Sequence, residues 1–357
     1  MALSKRHAHG MDALTIRFVR TNLDPNLYVL INDDNIVLIV LYVDDIIITS
    51  NDENLTRSIK ANLCKQFEMT DLDLMHYCLG VEVWQTDSDI RLCQNKYVGE
   101  ILERFHMTKY KPSITPCEAG KKLSCIDDSA HVDATLFRQL VGSLIYLTTT
   151  RPDICYVVSL ISQFMSSPTM DHWKAAKRIL RYVKGTPNLG LIYKRQSVLP
   201  KLQGYVDADW ARSIDDRKST TSYAFNFGSG CFSWFSKKQD TISLSSTEAE
   251  YKALSSATQE AVWLRKLLCE IGMKHVNPTV IFCDSQSGIQ LVKNPIFHSR
   301  TKHIEVKYHF VREKLQSEDI SIVYYSTLLQ VADIFTKALS KEKFETFRAK
   351  LGLDLVM

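Results

Sequence analysis

From about residue 200 onward, three β-rich runs come one after another and are followed by helices alternating with single strands. The runs are Leu202–Ala208, Thr221–Phe227 and Cys231–Ser236, and a long helical stretch covers Ser246–Cys269. A strand at Thr279–Asp284, helices at Ser287–Lys293 and Lys302–Gln316, a strand at Ile320–Ser326 and a helix at Val331–Leu339 complete the pattern. Strands in succession and then alternation with helices predict a mixed α/β sheet covered by helices.

The N-terminal part reads differently. Leu27–Ile31 and Ile36–Val43 flank an Asn/Asp turn, and Ile46–Thr49 follows Asp44 and Asp45, so two hairpins share one strand. Leu55, Ile59, Leu63 and Phe67 recur every four residues and predict a helix over 51–67. Strands at Tyr77–Gln85 and Ile90–Gln94 and a helix at Lys96–Phe105 come next. Pro112, Pro116, Gly120 and a Ser/Asp-rich piece then mark 108–133 as a linker. Residues 134–185 are mostly helical, with Pro152 at a first helical position. The domains expected are 1–110, 111–200, 201–340 and a tail at 341–357.

Composition excludes several classes. Net charge is only +4, so any nucleic-acid surface must come from local clustering. The nine cysteines form no CxxC pair and their number is odd, which argues against a disulfide framework or a zinc ribbon and for a reduced, intracellular chain, cytoplasmic or nuclear. No secretion signal is read at the N-terminus. The most apolar stretch, Ile36–Ile48, is cut by Asp44 and Asp45, so no membrane span is expected.

Carboxylates on these elements carry the chemistry. Asp44 and Asp45 are either a solvated turn or a metal-binding pair. Asp207 lies within one strand, Asp284 ends another, and Asp333 opens the last helix. Between them stands the acidic first turn of the long helix, with Glu248 and Glu250. Ala253, Leu254, Ala257, Ala261 and Leu264 form that helix's apolar stripe. Glu250 falls on the same face, whereas Glu248 is rotated roughly 200° from it at about 3.6 residues per turn. Glu250 is therefore the one expected to face the sheet. Asp207, Glu250, Asp284 and Asp333 make an oxygen-rich donor set suited to Mg²⁺ or Mn²⁺ and not to zinc.

Basic residues divide between two regions. Lys174, Lys177, Arg178 and Arg181 share a helix face. Arg217, Lys218, Lys237, Lys238, Arg300 and Lys302 are candidates for phosphate contact, or else a solvated face. His303, beside Lys302, reads as a phosphate contact or a cap before a proton carrier; His298 and His309 have weaker claims. Trp173, Trp263 and Tyr182 read as core.

Longer motifs carry a resemblance. They are Leu41-Tyr-Val-Asp-Asp-Ile, Gln94-Asn-Lys-Tyr, Phe137-Arg-Gln-Leu-Val-Gly-Ser-Leu-Ile-Tyr-Leu, Thr150-Arg-Pro-Asp-Ile, Tyr205-Val-Asp-Ala-Asp-Trp-Ala and Arg217-Lys-Ser-Thr-Thr, with Leu244-Ser-Ser-Thr-Glu-Ala-Glu-Tyr, Cys283-Asp-Ser-Gln-Ser, Ser299-Arg-Thr-Lys-His-Ile and Ala332-Asp-Ile-Phe-Thr-Lys. In this order, from about Leu14 to about Leu339, they resemble the C-terminal part of the Pol polyprotein of copia-type LTR retrotransposons. The resemblance implies an incomplete reverse-transcriptase palm and thumb, a helical connection, and an RNase H domain with a mixed five-stranded sheet flanked by helices. It implies hydrolysis of the RNA strand of an RNA–DNA hybrid by two Mg²⁺ ions, with Mn²⁺ as a substitute. Asp207, Glu250, Asp284 and Asp333 become the metal ligands, and Asp44 and Asp45 match the polymerase pair. Only 43 residues precede Asp44 and none matches the family's third polymerase aspartate, so no independent DNA polymerase activity is expected. The remaining Pol polypeptide, acting in trans, is an expected partner. The alternative expectation is an inactive nucleic-acid-binding relic.

Overall fold

The computed structural model describes residues 18–356, apart from 33, 198–200, 274–275 and 294–301; for 302–308 the backbone alone is described. The chain divides into two units, Met1–Met75 with Ala261–Asn277, and His76–Glu260 with Pro278–Met357.

The smaller unit is a four-stranded antiparallel sheet in chain order: β1 (Val19–Arg20), β2 (Leu27–Asn32), β3 (Asn35–Tyr42) and β4 (Asp45–Ser50). β3 is the strand shared by the two expected hairpins. Helix α1 (Glu53–Gln66) starts where Asp52 accepts hydrogen bonds from the amides of Asn54 and Leu55, a side-chain cap that satisfies otherwise orphaned donors. Its Ile59 and Leu63, two members of the four-residue repeat, are buried with Phe18, Tyr28, Val37, Ile39 and Ile46.

The larger unit begins with β5 (Tyr77–Cys78), β6 (Val81–Gln85) and β7 (Asp89–Cys93), then α2 (Asn95–Arg104). After the linker come α3 (Ala134–Leu147), a 3-10 turn at Pro152–Ile154, α4 (Cys155–Ser162), α5 (Met170–Gly185) and β8 (Leu189–Lys194). The second half runs β9 (Gln203–Asp209), β10 (Thr220–Asn226), β11 (Cys231–Lys238), α6 (Ser246–Glu270, whose part from Ala261 on is counted with the smaller unit), β12 (Thr279–Cys283), α7 (Gln286–Lys293), α8 (Lys302–Gln316) and β13 (Ile320–Tyr324). A 3-10 helix at Val331–Phe335, α9 (Lys341–Lys350) and β14 (Leu353–Leu355) close it.

One sheet has the order β11-β10-β9-β12-β13. Pairings β11–β10 and β10–β9 are antiparallel, and β9–β12 and β12–β13 are parallel. This is the mixed five-stranded sheet that the resemblance implies. The apolar stripe of α6 is buried as its spacing requires.

The other sheet, β14-β8-β7-β6-β5, corrects the reading of the chain's ends. Residues 77–93, grouped by sequence with the hairpins in 1–110, pair instead through β7 with β8, which carries β14 on its other side. The stretch 341–357, expected as a tail, supplies α9 and the edge strand β14. The helix expected over Val331–Leu339 is a 3-10 helix ending at Phe335. Trp263, expected in the core, is exposed, while Tyr182 is fully buried.

Candidate metal centre

Asp207 sits in β9, the middle strand, where the pairing with β10 sets it opposite Ser222. The parallel register pairs Val206 with Cys283, so the next residue on each strand brings Asp207 beside Asp284. Glu250 reaches the cluster from α6, buried on the face that carries the apolar stripe. Glu248 turns away: it pairs with Lys252 at 2.8 Å and accepts the Leu244 amide at 2.8 Å. Glu250, on the face that helical period sets toward the stripe, is thus the glutamate that the fold brings inward.

Asp333 is placed by the 3-10 helix, and four side chains fix that helix to the sheet. Gln330 Nε2 donates to the carbonyls of Val206 at 3.0 Å and Phe282 at 3.3 Å, bridging β9 and β12. Ser222 Oγ donates to the Ala332 carbonyl at 3.1 Å, and Ser236 Oγ to that of Phe335 at 2.6 Å. Thr336 Oγ1 donates to Asp207 Oδ2. Thr327 Oγ1 donates to Asp284 Oδ2 at 2.8 Å.

The result is two overlapping groups. Ligand atoms of Asp207, Asp284 and Asp333 lie within 4.8 Å of one another, and so do those of Glu250, Cys283 and Asp284. Burial pushes the Asp207 carboxyl up to about 7; Asp333 and Asp284 add to the shift, while Lys337 opposes it. Burial, followed by the charges of Asp207 and Asp284, pushes Glu250 well above the ordinary carboxylate range. Glu250 Oε2 is buried with no hydrogen-bond partner, a costly state for a carboxylate oxygen. A divalent cation among these hard oxygen donors would relieve both the repulsion and the orphaned oxygen, so the residues fit such an ion.

Two lysines already partner part of the cluster. Lys337 Nζ lies 2.8 Å from Asp333 Oδ1 and 3.7 Å from Asp207 Oδ2. Lys343 Nζ, from α9, lies 2.6 Å from Asp333 Oδ2. Sequence reading missed Gln330, Thr336, Lys337 and Lys343. The Asp333–Lys337 spacing of four, which an α-helical turn sets on one side, was the one local signal available.

The other candidates are placed as follows. Asp44 and Asp45 belong to the smaller unit: Asp45 pairs with Tyr42, and the turn is Val43-Asp44. Val43 adopts φ 52°, a strained conformation for a β-branched residue. Among the described residues, Asp44 and Asp45 join no group of three ligands. On α5 the basic face holds the linker instead of standing open. Arg178 bonds Glu118 at 2.8 Å and Thr115 at 3.2 Å, and Arg181 Nε donates to the Lys111 carbonyl at 2.7 Å. Lys177 lies over the rings of Tyr110 and Trp173, while Lys174 pairs with Asp171 near the surface. Arg217 is exposed; Lys218 and Lys238 both pair with Asp216. Arg300 and His298 lie outside the described residues, as do the side chains of Lys302 and His303. No helix among the described residues is long and apolar enough to cross a membrane.

Comparison with known proteins adds to this geometry. A family model described as reverse transcriptase (RNA-dependent DNA polymerase) matches residues 11–119. The Pol polyprotein from transposon RE1 of Arabidopsis thaliana is 43% identical over 343 residues, covering 96% of this chain and 23% of that protein. The putative transposon Ty5-1 protein of Saccharomyces cerevisiae is 32% identical over 248 residues, covering 69% of this chain and 80% of that protein. Among solved structures, the LC11 RNase H1 in complex with an RNA/DNA hybrid is 11% identical with a TM-score of 0.29, covering 38% of this chain and 94% of that one. The chain spans about a quarter of the length of the Arabidopsis and tobacco Pol polyproteins it matches.

Proposed function

The chain belongs to the Pol polyproteins of copia-type retrotransposons, and on that premise we propose that its larger unit is a ribonuclease H that hydrolyses the RNA strand of RNA–DNA hybrids. The observation that carries the reading is the convergence of Asp207, Glu250, Asp284 and Asp333 where the neighbouring parallel strands β9 and β12 end side by side. These four residues would hold divalent ions, Mg²⁺ or in its place Mn²⁺. Bound there, such ions supply Lewis-acid activation of water and stabilisation of the leaving oxygen.

The chain's own residues prepare the site. Thr336 and Thr327 each hold one carboxylate oxygen in place, at Asp207 and Asp284, which reduces the reorganisation that binding requires. Gln330 locks Asp333's 3-10 helix across two strands. Glu250 is kept dry by the α6 stripe, so its charge is available only to a cation entering the cluster. Exposed Arg217 and half-buried Lys218, beyond the end of β9, would meet hybrid phosphates, and Lys302 and His303 open α8. The ribose 2′-OH is the group by which the RNA strand is told from DNA.

A second reading is a hybrid-binding relic without turnover. The observation favouring it is that Lys337 and Lys343 already neutralise Asp333. One comparison separates the two: Glu250→Gln against Glu248→Gln on a labelled hybrid in Mg²⁺. The nuclease reading expects Glu250→Gln to lose cleavage while Glu248→Gln retains it. Salt-sensitive hybrid binding by folded wild-type protein, with no cleavage in Mg²⁺ or Mn²⁺, would establish the relic.

A further inference from the structure

The carboxylate cluster includes one donor that a hard cation does not need. Cys283, the last residue of β12, is fully buried, and its Sγ shares a 4.8 Å neighbourhood with carboxylate oxygens of Glu250 and Asp284. Independently, the buried Glu250 Oε2 lacks any hydrogen-bond partner. All nine cysteines are free thiols, and among the described residues Cys283 is the one that joins a group of three ligands.

We propose that Glu250, Cys283 and Asp284 form a binding site for a soft divalent ion, zinc or cadmium, which competes with the hard ion for the two shared carboxylates. The inference rests on the nuclease reading only in assigning Glu250 and Asp284 to that hard ion. Soft ions gain from a thiolate ligand, whereas Mg²⁺ does not. With bond lengths of about 2.0–2.3 Å to oxygen and sulfur, the three donors need to close by only about an ångström to meet around one zinc ion. As the metal–sulfur bond forms, the thiol proton leaves to solvent and sulfur keeps its oxidation state. One thiolate and two carboxylates then face a doubly charged ion, so the buried site changes from repulsive to nearly balanced.

The test is a cadmium titration of metal-free protein in phosphine-reduced buffer, read by the ultraviolet charge-transfer absorption of the cadmium–thiolate bond. Wild-type protein should show a band saturating at one equivalent, and Cys283→Ser should lose it. Glu250→Gln keeps every cysteine, and its half-saturation should rise by about tenfold or more. Excess Mg²⁺ should raise the wild-type half-saturation as well. Thermal unfolding of both variants reports their folding, so an unfolded Cys283→Ser leaves the decision to Glu250→Gln. Absence of the band in wild type, its persistence in Cys283→Ser, or an unchanged Glu250→Gln titration overturns the site. Cleavage of a hybrid in Mg²⁺ is read separately. Cleavage without a cadmium band defeats the thiol site alone, and a band without cleavage defeats the nuclease reading alone.

Discussion

Asp333 is fully buried and held by two ammonium groups, one from its own turn and one from α9. Removing a partner from a buried carboxylate leaves it under-compensated. Lys343→Met should therefore destabilise the protein by about 1–3 kcal/mol in EDTA, with part of the loss recovered by Mg²⁺. Urea unfolding with and without the ion measures this; no loss in EDTA would show that Lys343 does not hold Asp333. Asp207 and Glu250 give a pH dependence. Burial raises both above the ordinary range, Asp207 to about 7. Acids that bind protons more tightly when folded stabilise the fold below their unfolded values, near about 4, and lose that contribution as pH rises through the folded values. Metal-free protein should unfold at steadily lower temperature between pH 4 and 7, and Mg²⁺ or Asp207→Asn should flatten that slope. A thermal midpoint that rises across the window would contradict the shift. Glu250 was legible from the sequence because helical period alone decides which glutamate shares the stripe. Lys343 was not, because its contact with Asp333 depends on where α9 packs.

At the scale of elements, a charge network fixes the connection. Arg151 is buried and forks onto Asp153 at 2.9 and 2.8 Å, and donates to the Thr186 carbonyl at 2.9 Å. Tyr182 donates to Asp153 at 2.5 Å and accepts from Arg348 at 3.1 Å. The 3-10 turn and α5 thus meet on one carboxylate, and α9 joins them through the Tyr182 hydroxyl. Burial works against its charge, but Arg151 outweighs that and holds the Asp153 carboxyl below its ordinary value. Arg151→Met should cost about 3–5 kcal/mol, because it leaves Asp153 buried without its main partner. Chemical denaturation should show that loss, and a change under 1 kcal/mol would sink the account. A close approach sets the seat of β14. Gly352 has φ 80°, and a side chain there would come within 2.4 Å of the Gly230 Cα. Gly352→Ala should accordingly release β14 from β8, seen as loss of amide protection at Ile192 and Val356, whose N–H groups donate across that pairing to the Gly352 and Asn188 carbonyls. The proline and threonine run at 148–152 showed where α3 stops and the next turn begins. β14 was invisible because three residues carry no readable alternation.

Over the whole molecule, the legible part was the chain's alternation of strands and helices, which fixed the mixed sheet and the carboxylates along it. What sequence could not show is non-local. β5–β7 and the last strand, separated by more than 250 residues, share one sheet with β8. Basic residues on α5, which periodicity placed on one face, spend their charge on the linker. Deleting residues 341–357 removes α9, β14 and Lys343 together. The truncated chain should lose cooperative unfolding in the larger unit, whereas a dispensable tail would leave the transition unchanged. The central claim is that the carboxylate cluster is a metal-dependent nuclease centre. The most direct measurement is cleavage of a uniformly labelled RNA–DNA hybrid by purified protein, with and without Mg²⁺, beside Asp284→Asn. The account predicts loss of the RNA strand by wild type in Mg²⁺ alone, with the DNA strand intact and the variant inactive. Folded wild-type protein that leaves the hybrid whole, or an Asp284→Asn variant that cleaves as well as wild type, would contradict it.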